Sequence, residues 1–305
     1  MHLKTRRLYE KGLFRRENFG LLCVMPWVIG FAVFSLYPLI MSFMLSFTNS
    51  SMMKSSHFVG LENYIYMFTK DPEYVKSLIV TLIYGLVSVP LKLAFALFIA
   101  IVLNQKMKLI GFFRTVYYIP SIVGSSVAMA VTWRGIFSYN GIINSLLNMV
   151  SIPSIPWLAD PVAANSTLII LNVWQFGSSM IIFLAGLKAI PDTLYEAARI
   201  DSASWIQMFF KITLPMISPV IFFNLVMQNI GTLQEFTAPY LITNGGPMKY
   251  TYYYGLKLYQ EGFAYFKMGY ASAMSWVLFI IIFILTSLTF KYSDKWVYYE
   301  DGEKA

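Results

Sequence analysis

Few side chains in this sequence could carry out bond chemistry. The two histidines, His2 and His57, stand far apart with no ligand spacing around either. Cys23 lies inside a long apolar run, where a thiol reads as a packed side chain without a partner. No Gly-x-x-x-x-Gly-Lys-Ser/Thr loop exists to cradle phosphates. Acidic residues are nearly absent from the apolar runs, Glu235 standing at the end of one, so the usual parts of a proton relay are missing. No catalytic residue, metal site or cofactor of the chain's own is therefore expected. The polar groups that do fall inside apolar runs are amides, hydroxyls and an indole: Asn172, Trp174 and Gln175 in one run, Gln228, Asn229 and Thr232 in another, with Glu235 at its end. Such groups are costly in hydrocarbon, so they either face a cavity or join helices to one another.

The elements that must position them are membrane helices. Of 305 residues, 57% are hydrophobic and 12% charged, against roughly 25% charged in an ordinary soluble domain. Charge-free runs cover 18–53, 115–133, 161–187, 212–234 and 268–290, and 77–105 is broken only by Lys92. About 20 apolar residues cross the hydrocarbon layer. Six spans are thus predicted near 18–47, 77–104, 112–137, 165–187, 212–235 and 268–291, giving an all-α polytopic protein. The runs do not alternate with period two, which excludes a β-barrel. The first run is too long for a signal-peptide core and lacks a small-residue cleavage site, so it is expected to remain as a span. The domain reading is a basic tail over 1–17, a first span and outer loop over 18–76, a five-helix core over 77–291, and a tail over 292–305.

Lysine and arginine set the orientation. One side collects Lys4, Arg6, Arg7, Lys11, Arg15, Arg16, Lys106, Lys108, Arg114, Lys188, Arg199, Lys211, Lys291, Lys295 and Lys304. The other has Lys54, Lys70, Lys76, Arg134, Lys249, Lys257 and Lys267. The positive-inside rule then places both termini in the cytoplasm. The net charge of +8 is a topology signal with a contribution from anionic lipid, not a nucleic-acid footprint. Lys92, near the middle of the second span, is expected to snorkel toward water or a partner, with a counter-charge for an acidic saccharide as the alternative.

The outer loops have their own patterns. Leu61, Ile65 and Phe68 share a helical face, suited to a short helix at the interface or packed on the bundle. The loop 138–164, with Pro153, Pro156 and Trp157, reads as a compact cap. In 236–267, Thr243-Asn244-Gly245-Gly246-Pro247 marks a sharp turn before an aromatic stretch from Tyr250 to Phe266, expected as an interfacial belt or a docking surface.

The inner segment 186–219 is the most patterned. Pro191 ends a span, Thr193 and Glu196 have capping-box spacing, Ala197 and Ala198 give a thin face, and Asp201 is placed to cap a second turn. Trp205, Phe209 and Ile212 follow at i, i+4 and i+7. This predicts a short helix, a turn and a second helix at the membrane surface.

Glu196-Ala197-Ala198, then Ile200-Asp201, then Ile212-Thr213-Leu214-Pro215, resemble the EAA loop of permease subunits in binding-protein-dependent ABC importers. The flanks resemble the carbohydrate-uptake group of maltose- and glycerol-phosphate-type permeases. They include Leu36-Tyr37-Pro38, Ser46-Phe47-Thr48, Gly60-Leu61-Glu62-Asn63-Tyr64, Phe113-Arg114-Thr115, Tyr118-Ile119-Pro120, Trp157-Leu158, the run from Phe183 to Leu187, Thr243 to Pro247, and Met268 to Ala273. One departure is Ser202, where the loop usually has glycine. A positive φ there would strain Ser by about 1–2 kcal/mol, and a turn that tolerates a small polar residue is expected instead.

The resemblance implies the type I importer permease fold in a bacterial cytoplasmic membrane, and a transport subunit rather than an enzyme. It implies a second permease subunit, two ATPase subunits that bind ATP and Mg, and an external solute-binding protein that delivers a saccharide. Glu196, Ala197, Ala198, Asp201, Ser202 and Ala203 would then couple to the ATPase. Trp174, Gln175, Gln228, Thr232 and Glu235 would line the sugar path, amides binding hydroxyls in both directions and the indole stacking on a ring.

Overall fold

The computed structural model describes residues 16–51, 56–105 and 109–298. Most of the basic tail, Lys54, Lys106, Lys108 and Lys304 lie outside the described residues. Among the described residues the fold is helical, with one isolated antiparallel bridge, Thr48 to Phe58.

The chain forms two compact units, Met1–Tyr66 with Glu261–Trp276, and Met67–Gln260 with Val277–Ala305. In the first, α1 (Arg16–Phe31) contains Pro26 and passes through a π turn at Ala32–Leu36 into α2 (Tyr37–Ser46). From Cys23 to Ser46 this rod is long and apolar enough to cross a membrane, and Ser46 is its one buried residue. Cys23 is exposed, not packed as its setting had suggested, because its helix has few neighbours. Helix α3 (Glu62–Thr69) is tied back by its polar face. Asn63 donates to the carbonyls of Ser46 and Thr48, both at 2.8 Å, and Tyr64 donates to the Ser46 hydroxyl at 2.9 Å. Leu61, Ile65 and Phe68 remain exposed, the apolar face read from their spacing.

The second unit is built on α4 (Pro72–Leu103), 32 residues long and started by Asp71, whose carboxylate accepts from the amides of Glu73 and Tyr74. At 1.5 Å per residue it runs about 48 Å, more than a bilayer's hydrocarbon thickness. Its buried stripe changes character along its length. The N-terminal part buries Tyr74, Ser77, Thr81, Tyr84, Ser88 and Lys92 beside Val80 and Gly85; the C-terminal part buries Val89, Leu93, Ala96, Ala100 and Leu103. Steps of three and four put each set on one face.

Three pairs of helices follow, each apolar enough to span only when taken together. They are α5 (Ile110–Val123) with α6 (Val127–Ile136), bent by 98°; then, after α7 (Ile142–Met149), α8 (Pro161–Trp174) with α9 (Gly177–Ala189), bent by 41°. Helix α10 (Asp192–Ile200) leads to the third pair. There α11 (Trp205–Met208), a π turn at Phe209–Thr213 and α12 (Leu214–Met216) meet α13 (Ser218–Leu233) at 62°. Thus 112–137, 165–187 and 212–235 are not straight rods. The first bend follows Pro120 and Gly124, with the Ser126 hydroxyl capping the new helix through the Met129 amide at 3.2 Å. Helices α14 (Tyr254–Tyr259) and α15 (Met268–Ser293) complete the chain, α15 being the third uninterrupted candidate span.

The C-terminal part of α4 packs on α9, where Phe176, Met180, Phe183, Leu184 and Leu187 meet Val89, Leu93, Ala96 and Ala100. Burying each large side chain contributes about 1.5–3 kcal/mol relative to water; in lipid the gain comes from close packing, which the alanines permit. The cap 138–164 is organised by Asn144. Its amide donates to the carbonyls of Tyr139 and Ile155 and accepts from the Ile155 amide and the Trp157 indole, all within 3.0 Å.

The aromatic stretch after Gly245-Gly246-Pro247 divides in a way its sequence had not suggested. Tyr252, Tyr253 and Tyr254 are buried, neither belt nor docking surface, because the loop folds onto α4. The Tyr253 ring stacks on Tyr84 at 4.5 Å, and the Tyr254 amide donates to Thr81 at 2.8 Å. Lys257 and Asp71 form a buried ion pair at 2.8 Å, and Lys249 pairs with Glu73. Tyr250, Phe263 and Tyr265 are exposed.

Candidate functional site

Two places in the second unit hold the residues with functional patterning: the exposed loop around α10, and the interior between α4, α8 and α13.

Helix α10 starts at Asp192 with Pro191 as its N-cap, and no side chain caps it. The Thr193–Glu196 capping box is therefore not formed: the helix begins one residue before Thr193, which leaves that side chain inside the first turn. Asp201 is the C-cap of α10 and does not open the next helix. That role falls to Ser204, whose hydroxyl accepts from the Gln207 amide at 3.3 Å while Gln207 accepts from the Ser204 amide at 2.8 Å. Between them the Ser202 amide donates to Arg199 at 3.0 Å and the Ala203 amide to Ala198 at 2.9 Å. These two bonds are a Schellman ending, and it requires a left-handed residue. Ser202 supplies it at φ +57°. The turn does demand positive φ, then, and Ser is held there at a cost of about 1–2 kcal/mol.

Glu196, Ala197, Asp201 and Ser202 are exposed, whereas Ala198 and Ala203 are half-buried. Ile200 and Trp205 are 84% and 68% exposed. The π turn at Phe209–Thr213 shifts the register after Trp205, so Ile212 packs into the core while Trp205 stacks outside on Phe209 at 6.2 Å. Tyr195 anchors the loop through a 2.9 Å hydroxyl contact with Thr213.

In the interior, Asn172 is the centre. It accepts from the Lys92 ammonium at 3.0 Å and donates to the Ser88 hydroxyl at 3.2 Å, with Tyr84 also within hydrogen-bonding reach. Lys92 is 7% exposed and points inward, so the snorkelling expectation is overturned; Asn172 offers it an acceptor where lipid offers none. Glu235 lies within electrostatic reach of Lys92, Tyr84 and Tyr253, and one of its oxygens accepts from the Ala238 amide at 3.0 Å.

Among the described residues the five expected path residues make no side-chain hydrogen bonds to one another, while the Glu235 amide donates to the Thr232 carbonyl at 3.2 Å. Trp174 packs beside Trp133, ring centres 5.6 Å apart. Gln175 caps α8 at the bend; Gln228 donates to Ser179 at 3.2 Å; and the Thr232 methyl lies over Gly85. At the bend itself one hydroxyl serves both freed backbone groups. Ser121 donates to the Gln175 carbonyl and accepts from the Ser178 amide, each at 3.0 Å. Gly177 makes the close approach possible, since a Cβ there would stand 2.5 Å from the Tyr117 carbonyl oxygen. Reading by run and loop missed the hydroxyl stripe of α4. Its signal was the spacing of Tyr74, Ser77, Thr81, Tyr84 and Ser88, which ends in Lys92.

Long apolar helices, bent helix pairs and a polar interior fit an integral membrane protein. The chain belongs to the family of binding-protein-dependent transport system inner membrane components, whose model matches residues 72–297. It is 49% identical over 294 residues to the probable ABC transporter permease protein YesP of Bacillus subtilis, covering 95% of each chain. It is 36% identical over 280 residues to the lactose transport system permease protein LacF of Rhizobium radiobacter, covering 89% of this chain and 92% of that one. In three dimensions it resembles a chain of a bacterial alginate ABC transporter in complex with an alginate pentasaccharide-bound periplasmic protein. The TM-score is 0.81 at 21% identity, over 95% of this chain and 98% of that one. These relatives are transport permeases and not enzymes, which agrees with the resemblance read from the EAA residues.

Proposed function

We propose that this chain forms half of the translocation path of an ATP-driven importer for a sugar or oligosaccharide. A second permease completes the path, an external solute-binding protein delivers the saccharide, and two ATPase subunits holding ATP and Mg work from the cytoplasmic face. The three long helices and three bent pairs act as six spans of a bacterial cytoplasmic membrane, with both termini inside. The observation that carries the coupling role is the α10 loop. A short helix held by Tyr195 and the Schellman turn presents Glu196, Ala197 and Ile200 outward, leaving a thin face with an apolar tip that fits a groove on a partner. ATPase closure transmitted through this joint would shift the permeases between two packings. Membrane carbohydrate relatives, lactose among them, support the substrate class.

The test is purification of the chain from its native membrane. An ATPase and a second permease should accompany it, and ATP-dependent saccharide uptake should be lost in Glu196→Lys. In a Cys23→Ser background, cysteine at Ile200 should label only from the cytoplasm and cysteine at Tyr265 only from outside. Labelling of both from one side would break the six-span arrangement.

A further inference from the structure

Lys92 is a cation in the interior of a membrane bundle, where a charged side chain costs about 2.5–3.5 kcal/mol on insertion scales and marks a ligand or ion path. It lies about 30 Å along α4 from Pro72. More than nine-tenths buried, it uses one of its three donors on a neutral amide, the Asn172 oxygen. The carboxylate within electrostatic reach, Glu235, has an oxygen engaged by the Ala238 amide. The other side chains that Asn172 meets are hydroxyl-bearing: Ser88 and Tyr84, at the foot of the stripe that runs along α4 through Ser77 and Thr81. Asn172 itself stands two residues before Trp174 and three before Gln175, at the bend between α8 and α9.

We infer that Lys92, positioned by Asn172, selects a saccharide bearing a carboxylate, a uronate in class, and forms a charge-assisted hydrogen bond to it during passage. This rests on the importer reading and narrows its substrate. A buried ammonium gains most from an anion, while the surrounding hydroxyls and amide suit the rest of a sugar. One cation, held by the neutral Asn172 with the Glu235 carboxylate within electrostatic reach, matches a singly charged group; a phosphate dianion would call for a second cation.

The experiment uses the assembled importer in proteoliposomes with its own solute-binding protein. The probes are uronate di- and trisaccharides, their carboxyl-reduced neutral counterparts, and phosphorylated sugars. Wild type should import a uronate in preference to its reduced counterpart. Lys92→Met should lower that preference by about tenfold or more, since a site built for a polar group discriminates strongly. Lys92→Arg should keep most of it. Asn172→Asp, which gives the ammonium an internal counter-ion of the same shape, should lose it while the complex still assembles. That variant carries the test should Lys92→Met fail to assemble. Import of neutral saccharides alone, preference for the phosphorylated sugars, or an unchanged preference in Asn172→Asp would overturn the inference and leave the importer reading standing. Absence of any ATP-driven saccharide uptake would overturn both.

Discussion

The α10 loop and the interior around Asn172 meet opposite demands. Every hydrogen bond that shapes the end of α10 and the following cap joins residues no more than five apart, whereas Lys92 and Ser88 meet Asn172 across 80 and 84 residues. The loop takes most of its geometry from near neighbours in the chain, its longest tie being the Tyr195–Thr213 contact across 18 residues, and offers its surface to something outside. The interior exists only when α4 and α8 are docked, and its surface is turned inward. Substitutions in the first region should therefore act on partnership, and substitutions in the second on the stability of the chain itself.

The sharpest test of that contrast is Asn172→Leu. It strands the Lys92 ammonium and the Ser88 hydroxyl, and should cost about 3–5 kcal/mol, read as a lower unfolding temperature of purified protein. Unchanged stability would mean that Lys92 is not held through Asn172. Next in size is Gly177→Ala, where the added methyl meets the Tyr117 backbone; overpacking of about 1–3 kcal/mol is expected by the same measurement. Ser202→Gly should move stability the other way, by about 1 kcal/mol, because glycine takes φ +57° without strain. A fall in stability would show that the serine hydroxyl supports the turn. The smallest effect on stability, within about 0.5 kcal/mol, should come from Ala197→Trp on the exposed face of α10. That same variant should lose the ATPase during purification, and wild-type co-purification would remove the loop's assigned role.

What was legible in the sequence follows the same division. Apolar runs located the candidate spans, and the EAA residues located α10, because both signals are local in the chain. The Ser202 strain was foreseeable as a condition and needed the backbone to be decided. The bends were not readable from hydropathy, which measures composition and is blind to direction. Lys92 was misread because its acceptor lies on another helix, and the tyrosines 252–254 because an outer loop that folds inward looks like one that stays outside. Asn144 left no pattern at all: the three residues that share its four hydrogen bonds are gathered by the turn it creates.

Ser121 ties three helix ends into one body. Its one hydroxyl, from α5, seals both backbone groups opened at the α8–α9 bend. A displacement of α5 away from that bend would leave the Gln175 carbonyl and the Ser178 amide without this partner, a cost of about 1–3 kcal/mol for each group that stays buried. The bend is consequently a poor hinge. During the transport cycle α5, the end of α8 and the start of α9 should travel as one piece, and flexing must be sought elsewhere, at breaks whose backbone is served by their own helix.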